Sequence, residues 1–573
     1  PWQYLGQPLA ADRAGPREDG DLATDLSVLV DAIRGAAAKL DVPEQRSPWL
    51  APLPEIVTLD QLRTGPVDDE VPPLPYGLTD IPDRQAREPL ALDLTQGGHL
   101  VIAGAARTGR STVLRTIAGS VAAHASPADV HIYAIDCGTG ALLPVSALPH
   151  TGAVVSRDQT DRVERLLAKL RGEIRRRQQL LAAEGFAGLA EQRAVSDPAD
   201  RMPWMLLLLD WWEGYFAAFE PYDYGRLIEA ILQLLREGAA VGLRAVFTTD
   251  RAALLGQPGT VFGERMLLRL TDSSDAGLAG VSERMLPASQ PPGRVMFDAT
   301  PRPLEAQIAM LDPDPSGPAQ VAALRRLGQR AQERYGRPAP PQRPLRVDAL
   351  PGRVTVEEVM ALDPGFRPPS PLWALAGAGG DELGPVGIDL SADGPGAVVA
   401  GPPRSGRSTA LLAMAASLLS QGTPVLAITP RRSPLRALEG TAGVLAVLGA
   451  DTSESELDQA LENLKQYVVL VDDAELLADS MLSEPLRGLI VSGRDADHGL
   501  VLAGTTTDLG RAYSGFIPEA LKSRCGLIVA VDSPGDGDLF GVRLSRNAGP
   551  GPLGRGLLIR PGRAEPIQVA ASD

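Results

Sequence analysis

Two stretches of this 573-residue sequence, GAARTGRST (Gly104 to Thr112) and GPPRSGRST (Gly401 to Thr409), run glycine, four residues, glycine, one residue, serine. That is the outline of a phosphate-binding loop, in which successive backbone N–H groups and a helix N-terminus surround the phosphates of a nucleotide. Gly104, Gly109, Gly401 and Gly406 let the backbone come close to the ligand. Arg107, Thr108, Arg110, Ser111 and Thr112 complete one candidate binding set, and Arg404, Ser405, Arg407, Ser408 and Thr409 the other. Ser111 and Ser408 stand where a hydroxyl ligates Mg²⁺. Such loops place a compact Lys between the β- and γ-phosphates. Here the position is Arg110 or Arg407, which keeps the charge on a bulkier, planar group suited to bidentate contacts.

Each loop has acids to match. MLLLLDWWE (205–213) and YVVLVDDAE (467–475) are apolar runs ending in Asp210 and Asp472, the candidate carboxylates on the Mg²⁺ side. The Glu that usually follows and orients the attacking water is Trp211 in one copy and Asp473 in the other. Glu213 and Glu475 lie three residues beyond the first acid. The candidate catalytic groups are therefore Asp210, Glu213, Asp472 and Asp473. With both Lys and Glu altered, weak nucleotide binding with very slow turnover is the favoured reading. A packed scaffold that binds nothing and a working ATPase are the alternatives. Arg265, Arg269, Lys522 and Arg524 are candidates for completing a neighbouring subunit's site; a surface cation beside a strand is the competing reading for each.

The elements that position these residues occur twice. PLALDLTQGGHLVIAGAARTGRSTVLRTIAGS (89–120) and PVGIDLSADGPGAVVAGPPRSGRSTALLAMAAS (385–417) share a short strand, a polar turn, an apolar strand, a glycine loop and an Ala/Leu-rich helix. GLRAVFTTDR (242–251) and GLVLAGTTTDL (499–509) add a further strand tipped with Thr to each copy. Continuous apolar runs fit central parallel strands covered on both faces. The expected fold is α/β: two tandem P-loop domains with parallel-rich central sheets flanked by helices. The expected bounds are an N-terminal connector at 1–74, a first domain at 75–310, a Pro-rich linker with a short helix at 311–346, and a second domain at 347–573. In 161–186, Val163, Leu166, Leu167, Leu170, Ile174 and Leu181 recur at helical spacing. Its Arg175-Arg176-Arg177 run reads as a solvated face.

Composition bounds the function. The net charge of −16 argues against a broad nucleic-acid surface, though not against a local basic channel. Two cysteines, Cys137 and Cys525, give no disulfide framework, and the five histidines show no metal spacing. No apolar run reaches membrane-spanning length. The sequence opens on Pro1 without a leader, so a piece of a longer protein is expected.

The motifs resemble the FtsK/SpoIIIE-type ATPases, and among them the EccC-type (EssC-type) motors of type VII secretion. The resemblance rests on PYGLTDIPDRQAREPLALDL (75–94) leading into the first loop, on HIYAIDCGTGALLPVSALPHTGAVVSRDQTDRVERLL (131–167), and on VVLVDDAELL (468–477). DLATDLSVLVDAIRGAAAKL (21–40) and PWLAPLPEIVTLDQL (48–62) resemble the connector into that family's second ATPase domain. The resemblance covers nearly the whole chain. It implies the second and third of three ATPase domains, behind an N-terminal membrane anchor and at the cytoplasmic face of the plasma membrane. It also implies ATP and Mg²⁺ as cofactors, hexamer assembly with other subunits of the secretion complex, and secreted WXG100-type helical-hairpin proteins as partners. Those partners would be read through a C-terminal signal by the last domain, and no signal-reading residue is carried over by motif. Arg110 and Arg407 depart from the family's Lys and place hydrolysis in question. The alternative is a DNA translocase or conjugation coupling ATPase of the same superfamily. Against a translocase, GRGLLIRPGRAEPIQVA (554–570) reads as a closing β-hairpin and not as a winged-helix DNA reader.

Overall fold

The computed structural model describes residues 24–43, 50–62, 70–287, 290–299, 302–493, 495–546, 548–549 and 551–572. The chain divides into two compact units, Pro1–Pro52 with Pro82–Ala86, and Leu53–Ile81 with Arg87–Asp573. In the first unit, Thr24 caps the helix Asp25–Lys39 by accepting from the Ser27 amide, and no residue of that helix is buried. Residues 21–23 of the expected connector helix lie outside the described residues.

The second unit holds two ten-stranded sheets. The first comprises β1 (Leu74–Ile81), β2 (Ala86–Leu92), β3 (His99–Ala103), β4 (Val130–Asp136), β5 (Thr151–Ser156), β6 (Trp204–Asp210), β7 (Leu243–Thr249), β8 (Phe262–Leu267), β9 (Arg294–Phe297) and β10 (Leu304–Ile308). Their order is β2-β1-β10-β9-β8-β3-β7-β6-β4-β5. The second comprises β11 (Trp373–Gly379), β12 (Gly384–Asp389), β13 (Gly396–Ala400), β14 (Val425–Ile428), β15 (Val444–Leu448), β16 (Tyr467–Val471), β17 (His498–Gly504), β18 (Gly526–Val529), β19 (Arg555–Arg560) and β20 (Arg563–Val569). Its order, β12-β11-β20-β19-β18-β13-β17-β16-β14-β15, repeats the first strand for strand. In each sheet the block from β8 to β5, or from β18 to β15, is parallel. Antiparallel strands continue from β8 through β9 and β10 to β1, and from β18 through β19 and β20 to β11 and β12.

The central strands are buried on both faces, which is why they read as unbroken apolar runs. Along β6, Met205, Leu207 and Leu209 join one core, while Trp204, Leu206 and Leu208 join the core on the opposite face. Parallel register brings Ala103 beside Thr249 and Asp136 beside Asp210. The strand ends that carry the candidate chemistry therefore share one edge of the sheet, the edge where α/β sheets bind ligands.

The long helix Thr160–Glu184 buries all six apolar positions expected of it. Its arginine run is not uniformly a solvated face. Arg177 is 1% exposed, pairs with Glu173, and donates to the carbonyls of Pro203 (2.7 Å) and Val241 (3.1 Å). Those carbonyls lie just outside β6 and β7, where a buried guanidinium supplies donors that the sheet cannot. The segment 311–346 is also packed structure. Its helix Gly317–Tyr335 buries Gln320, Ala323, Leu324, Gly328 and Ala331. A Cβ on Gly328 would meet the Ala147 carbonyl at 2.6 Å, so the helix lies directly on the first domain. Val57, Leu59 and Leu62 of the connector pack against Ala309 of the same domain.

Candidate functional site

Both candidate loops run from a central strand into a helix, Arg110–His124 in one copy and Arg407–Ser420 in the other. Arg107 (φ 63°) and Arg404 (φ 65°) take the left-handed conformation, followed by Gly109 (φ 111°) and Gly406 (φ 103°) at the N-caps. These reversals turn successive amides inward, the concave arrangement that binds anions. Neither N-cap has a side chain to satisfy the first-turn N–H groups, which leaves them to a ligand. A Cβ on Gly104 would lie 2.7 Å from Leu268 Cβ, and one on Gly401 would lie 2.4 Å from the Val529 carbonyl oxygen, so only glycine fits at either position. Thr108 Oγ1 donates to the Ala105 carbonyl (2.8 Å), whereas the buried Ser405 Oγ has no partner. Arg107 and Arg404 are exposed, and Thr112 and Thr409 are half-buried in the first helical turns.

The acids meet these loops. Ser111 Oγ donates to Asp210 Oδ2 (2.6 Å), and Thr248 Oγ1 to Asp210 Oδ1 (2.6 Å). Burial, with Asp136 nearby, raises the Asp210 pKa despite these hydrogen bonds. Asp136 is itself spent on its own turn, accepting from the amides of Gly138, Gly140 and Leu142. In the second copy Ser408 Oγ (2.7 Å) and Ser433 Oγ (2.5 Å) both donate to Asp472 Oδ2.

The two loop arginines turn back on the protein. Arg110 donates to the Gly104 carbonyl (3.0 Å) and pairs with Asp250, which also accepts from Trp211 Nε1 (3.1 Å). Arg407 donates to the Gly401 carbonyl (3.3 Å) and to Asp473 Oδ1 (3.3 Å). Asp473 is held more tightly by Arg431, through Nε to Oδ2 (2.5 Å) and NH2 to Oδ1 (2.8 Å). Trp211 and Asp473, at equivalent positions, both have positive φ (70° and 47°). Each is met by a guanidinium: Arg157 lies 5.7 Å above the Trp211 ring, and Arg431 grips Asp473.

Glu213 is committed elsewhere in the site. It accepts from the Thr249 hydroxyl (2.6 Å) and from the amides of Asp250, Arg251 and Ala252. Burial opposes its ionisation, but these donors prevail and bring its pKa below the usual range. Glu475 differs: burial raises its pKa, and its buried Oε2 has no partner. Arg265 donates to the carbonyls of Leu278 and Gly259 of its own domain. Lys522 pairs with Glu519, Arg524 is exposed, and the Arg269 carbonyl accepts from the Ala105 amide of the first loop.

The donor sets fit a nucleotide with Mg²⁺. Ser405 Oγ and Glu475 Oε2 are orphaned polar atoms in the second site. Ser111 with Asp210, and Ser408 with Asp472, are hard oxygen pairs of the kind Mg²⁺ takes. Among the described residues no cluster of three or more His, Cys, Asp or Glu side chains is poised for a metal, so phosphate oxygens would have to complete the coordination. Asp250, Thr248, Arg431 and Ser433 were not singled out from sequence. Asp250 lay in view in the Thr-tipped strand motif; strand register puts Thr505 at the same point of the other copy, since Thr249 pairs with Ala103 as Gly504 pairs with Ala400. Arg431 and Ser433 lie in TPRRSPLR after β14; the equivalent turn after β4, DCGTGALL, carries no Arg or Ser, and the segment reaches the loop only through the fold.

Residues 59–294 match the FtsK/SpoIIIE family model. The chain is 28% identical to the ESX-4 secretion system protein EccC4 of Mycobacterium tuberculosis, over 99% of this chain and 46% of that protein. It is 29% identical to the type VII secretion system protein EssC of Staphylococcus aureus, over 44% of this chain and 17% of that one. It thus spans less than half the length of these relatives. Among solved structures, ATPases 2 and 3 of EssC from Geobacillus thermodenitrificans superimpose with a TM-score of 0.68 at 19% identity, over 91% of this chain and all of that one. ATPases 2 and 3 of Thermomonospora curvata EccC, in complex with a signal sequence peptide, give 0.58 at 24% identity, over 92% of this chain and all of that one. Residues 59–294 thus match the FtsK/SpoIIIE family, the chain is similar in sequence to EccC4 and EssC, and it has the tandem fold of the second and third ATPase domains of EssC and EccC.

Proposed function

We propose that this chain is the substrate-binding and regulatory ATPase-domain pair of a type VII secretion motor, and that its two P-loops hold nucleotide weakly and turn it over very slowly. The observation that carries this reading is the inward pairing of both loop arginines, Arg110 with Asp250 and Arg407 with Asp473. A phosphate entering either loop must compete with a carboxylate already in place, and neither copy has a Glu directly after its strand-end acid to orient water. Arg110 or Arg407, the loop amides, and Ser111 with Asp210 or Ser408 with Asp472 would hold ATP and Mg²⁺. The metal would supply charge stabilisation at the transferred phosphoryl group.

The proposed partners are secreted WXG100-type helical hairpins read through a C-terminal signal by residues 345–573, other subunits of the complex, and further copies in a hexamer at the cytoplasmic face of the membrane; the likeness to secretion system proteins, one of them solved with a signal sequence peptide, supports this reading. Helix-in-groove docking of such a signal buries apolar anchors, so it depends weakly on salt and survives removal of ATP. Two measurements test the proposal. Steady-state ATP hydrolysis should fall well below about one turnover per second, the low end for competent enzymes. Titration of the whole chain with a secretion-signal peptide, with and without ATP, should give the same affinity. Fast turnover overturns the slow-hydrolysis part of the reading; no peptide binding together with tight, salt-sensitive DNA binding overturns the whole in favour of a translocase.

A further inference from the structure

In the second site three charged side chains form one chain of contacts, Arg407–Asp473–Arg431, and its two halves are unequal. Both bonds that hold Arg407, to the Gly401 carbonyl and to Asp473, are 3.3 Å, long for N–H···O. Both bonds from Arg431 to Asp473 are short, 2.5 and 2.8 Å, and use both carboxylate oxygens in a bidentate fork. Asp473 and Arg407 are nearly buried, with side chains 10% and 9% exposed, whereas Arg431 reaches solvent at 58%. The carboxylate thus has its main partner in Arg431, and the loop arginine is loosely tethered. Two guanidiniums share one carboxylate, so the cluster carries one positive charge in excess beside amides arranged for phosphate.

We propose that Arg431 is a nucleotide-positioning residue of the second site. By occupying Asp473, it leaves Arg407 free to exchange that carboxylate for a nucleotide's phosphates, and it shields those phosphates from the Asp473 charge. The inference rests on the reading that this loop binds nucleotide. Without Arg431, the buried Asp473 would have Arg407 as its remaining cation and would retain it, because a carboxylate this buried is costly to leave unpaired. The role acts through Asp473 and requires no contact between Arg431 and the ligand.

The test uses the whole chain and compares wild type with Arg431→Ala, Asp473→Asn, and the double variant. Hydrogen–deuterium exchange of peptides spanning 401–412 is followed during titration with ATP in EDTA. This separates the second loop from 104–112 in the same molecule, and the first loop serves as the folding control. Arg431→Ala should weaken ATP at the second loop about tenfold, the order of one charge-assisted hydrogen bond. Asp473→Asn should bind as tightly as wild type or more tightly. The double variant should match Asp473→Asn, a rescue that mere structural damage does not produce. Arg431→Lys, which keeps the charge, should fall between wild type and alanine. Inorganic tripolyphosphate should reproduce the same ranking, since the effect lies at the phosphates. A double variant as weak as Arg431→Ala, or four equal affinities alongside wild-type protection, overturns this inference and leaves the nucleotide-binding reading intact. No protection of either loop in any protein overturns both.

Discussion

The hydroxyl of Ser111 donates to Oδ2 of Asp210 over 2.6 Å, tying the first turn of the loop helix to the end of β6. Asp210 is 4% exposed, and Thr248 fills its other oxygen. Were Mg²⁺ to bind here, Ser111 and Asp210 are the oxygen donors that would hold it, in place of this hydrogen bond. Ser111→Ala should therefore abolish the gain in ATP affinity that Mg²⁺ confers at the first loop, while affinity in EDTA changes less than about twofold, since the loop amides carry that part. Exchange protection of 104–112 with and without Mg²⁺ checks it. An equal Mg²⁺ effect in the variant removes Ser111 from the metal's shell.

Glu213 pins the end of β7 with one carboxylate, accepting from Thr249 and three successive amides. Its pKa in the folded protein lies below the ordinary carboxyl value. The stability it adds is therefore present above that ordinary value and is lost as pH falls through the lowered one. Glu213→Gln keeps the shape and removes the charge. It should cost about 1 kcal/mol at pH 7, with the difference from wild type shrinking below pH 4. Urea unfolding at pH 7 and pH 3.5 measures both; a difference that grows on acidification refutes the anchoring role.

His131 and His150 are buried, donate through Nε2 to the carbonyls of Gln342 and Ala125, and have pKa values pushed down by burial to about 3 and about 4. In the unfolded chain each takes a proton near pH 6.5. Below that pH the unfolded state binds more protons, so stability falls as pH drops from about 6.5 toward 4 for His150, and on toward 3 for His131. The slope should reach no more than about 1.4 kcal/mol per pH unit for each histidine. His150→Gln, which retains a donor for Ala125, should flatten the stability profile between pH 6.5 and 4.5. An unchanged slope would mean that His150 is protonated in the fold.

Leu324 is fully buried in the helix Gly317–Tyr335 and joins the core of the first sheet. If this helix is part of the first domain and not a tether, Leu324→Ala should destabilise that domain by about 2–5 kcal/mol, the range for a buried leucine. Exchange in β4 and in the helix Arg110–His124 should quicken, while exchange in β13 and β17 stays as in wild type. Unchanged exchange in the first domain would return the helix to the linker.

The sequence by itself determined the repeat, the strand–loop–helix placement of Gly104–Ser111 and Gly401–Ser408, and the strand-end positions of Asp210 and Asp472. These features are local: an apolar run, a glycine pattern and a helical period act over a few residues and leave the same mark wherever they occur. The six buried positions of the helix Thr160–Glu184 were legible for the same reason. What only the tertiary structure decided is where charged side chains with several possible partners end up. Arg177 lies in a solvated-looking run, yet it is drawn inside because two carbonyls beyond β6 and β7 need donors. Asp473 looks like a catalytic acid from its place beside Asp472, but it is spent on Arg431, 42 residues earlier in the chain, and on Arg407. Asp250 becomes the partner of Arg110 only because β7 lies next to β3. A long, flexible guanidinium carries no periodic signature, and its carboxylate is chosen by the strand order that brings it within reach.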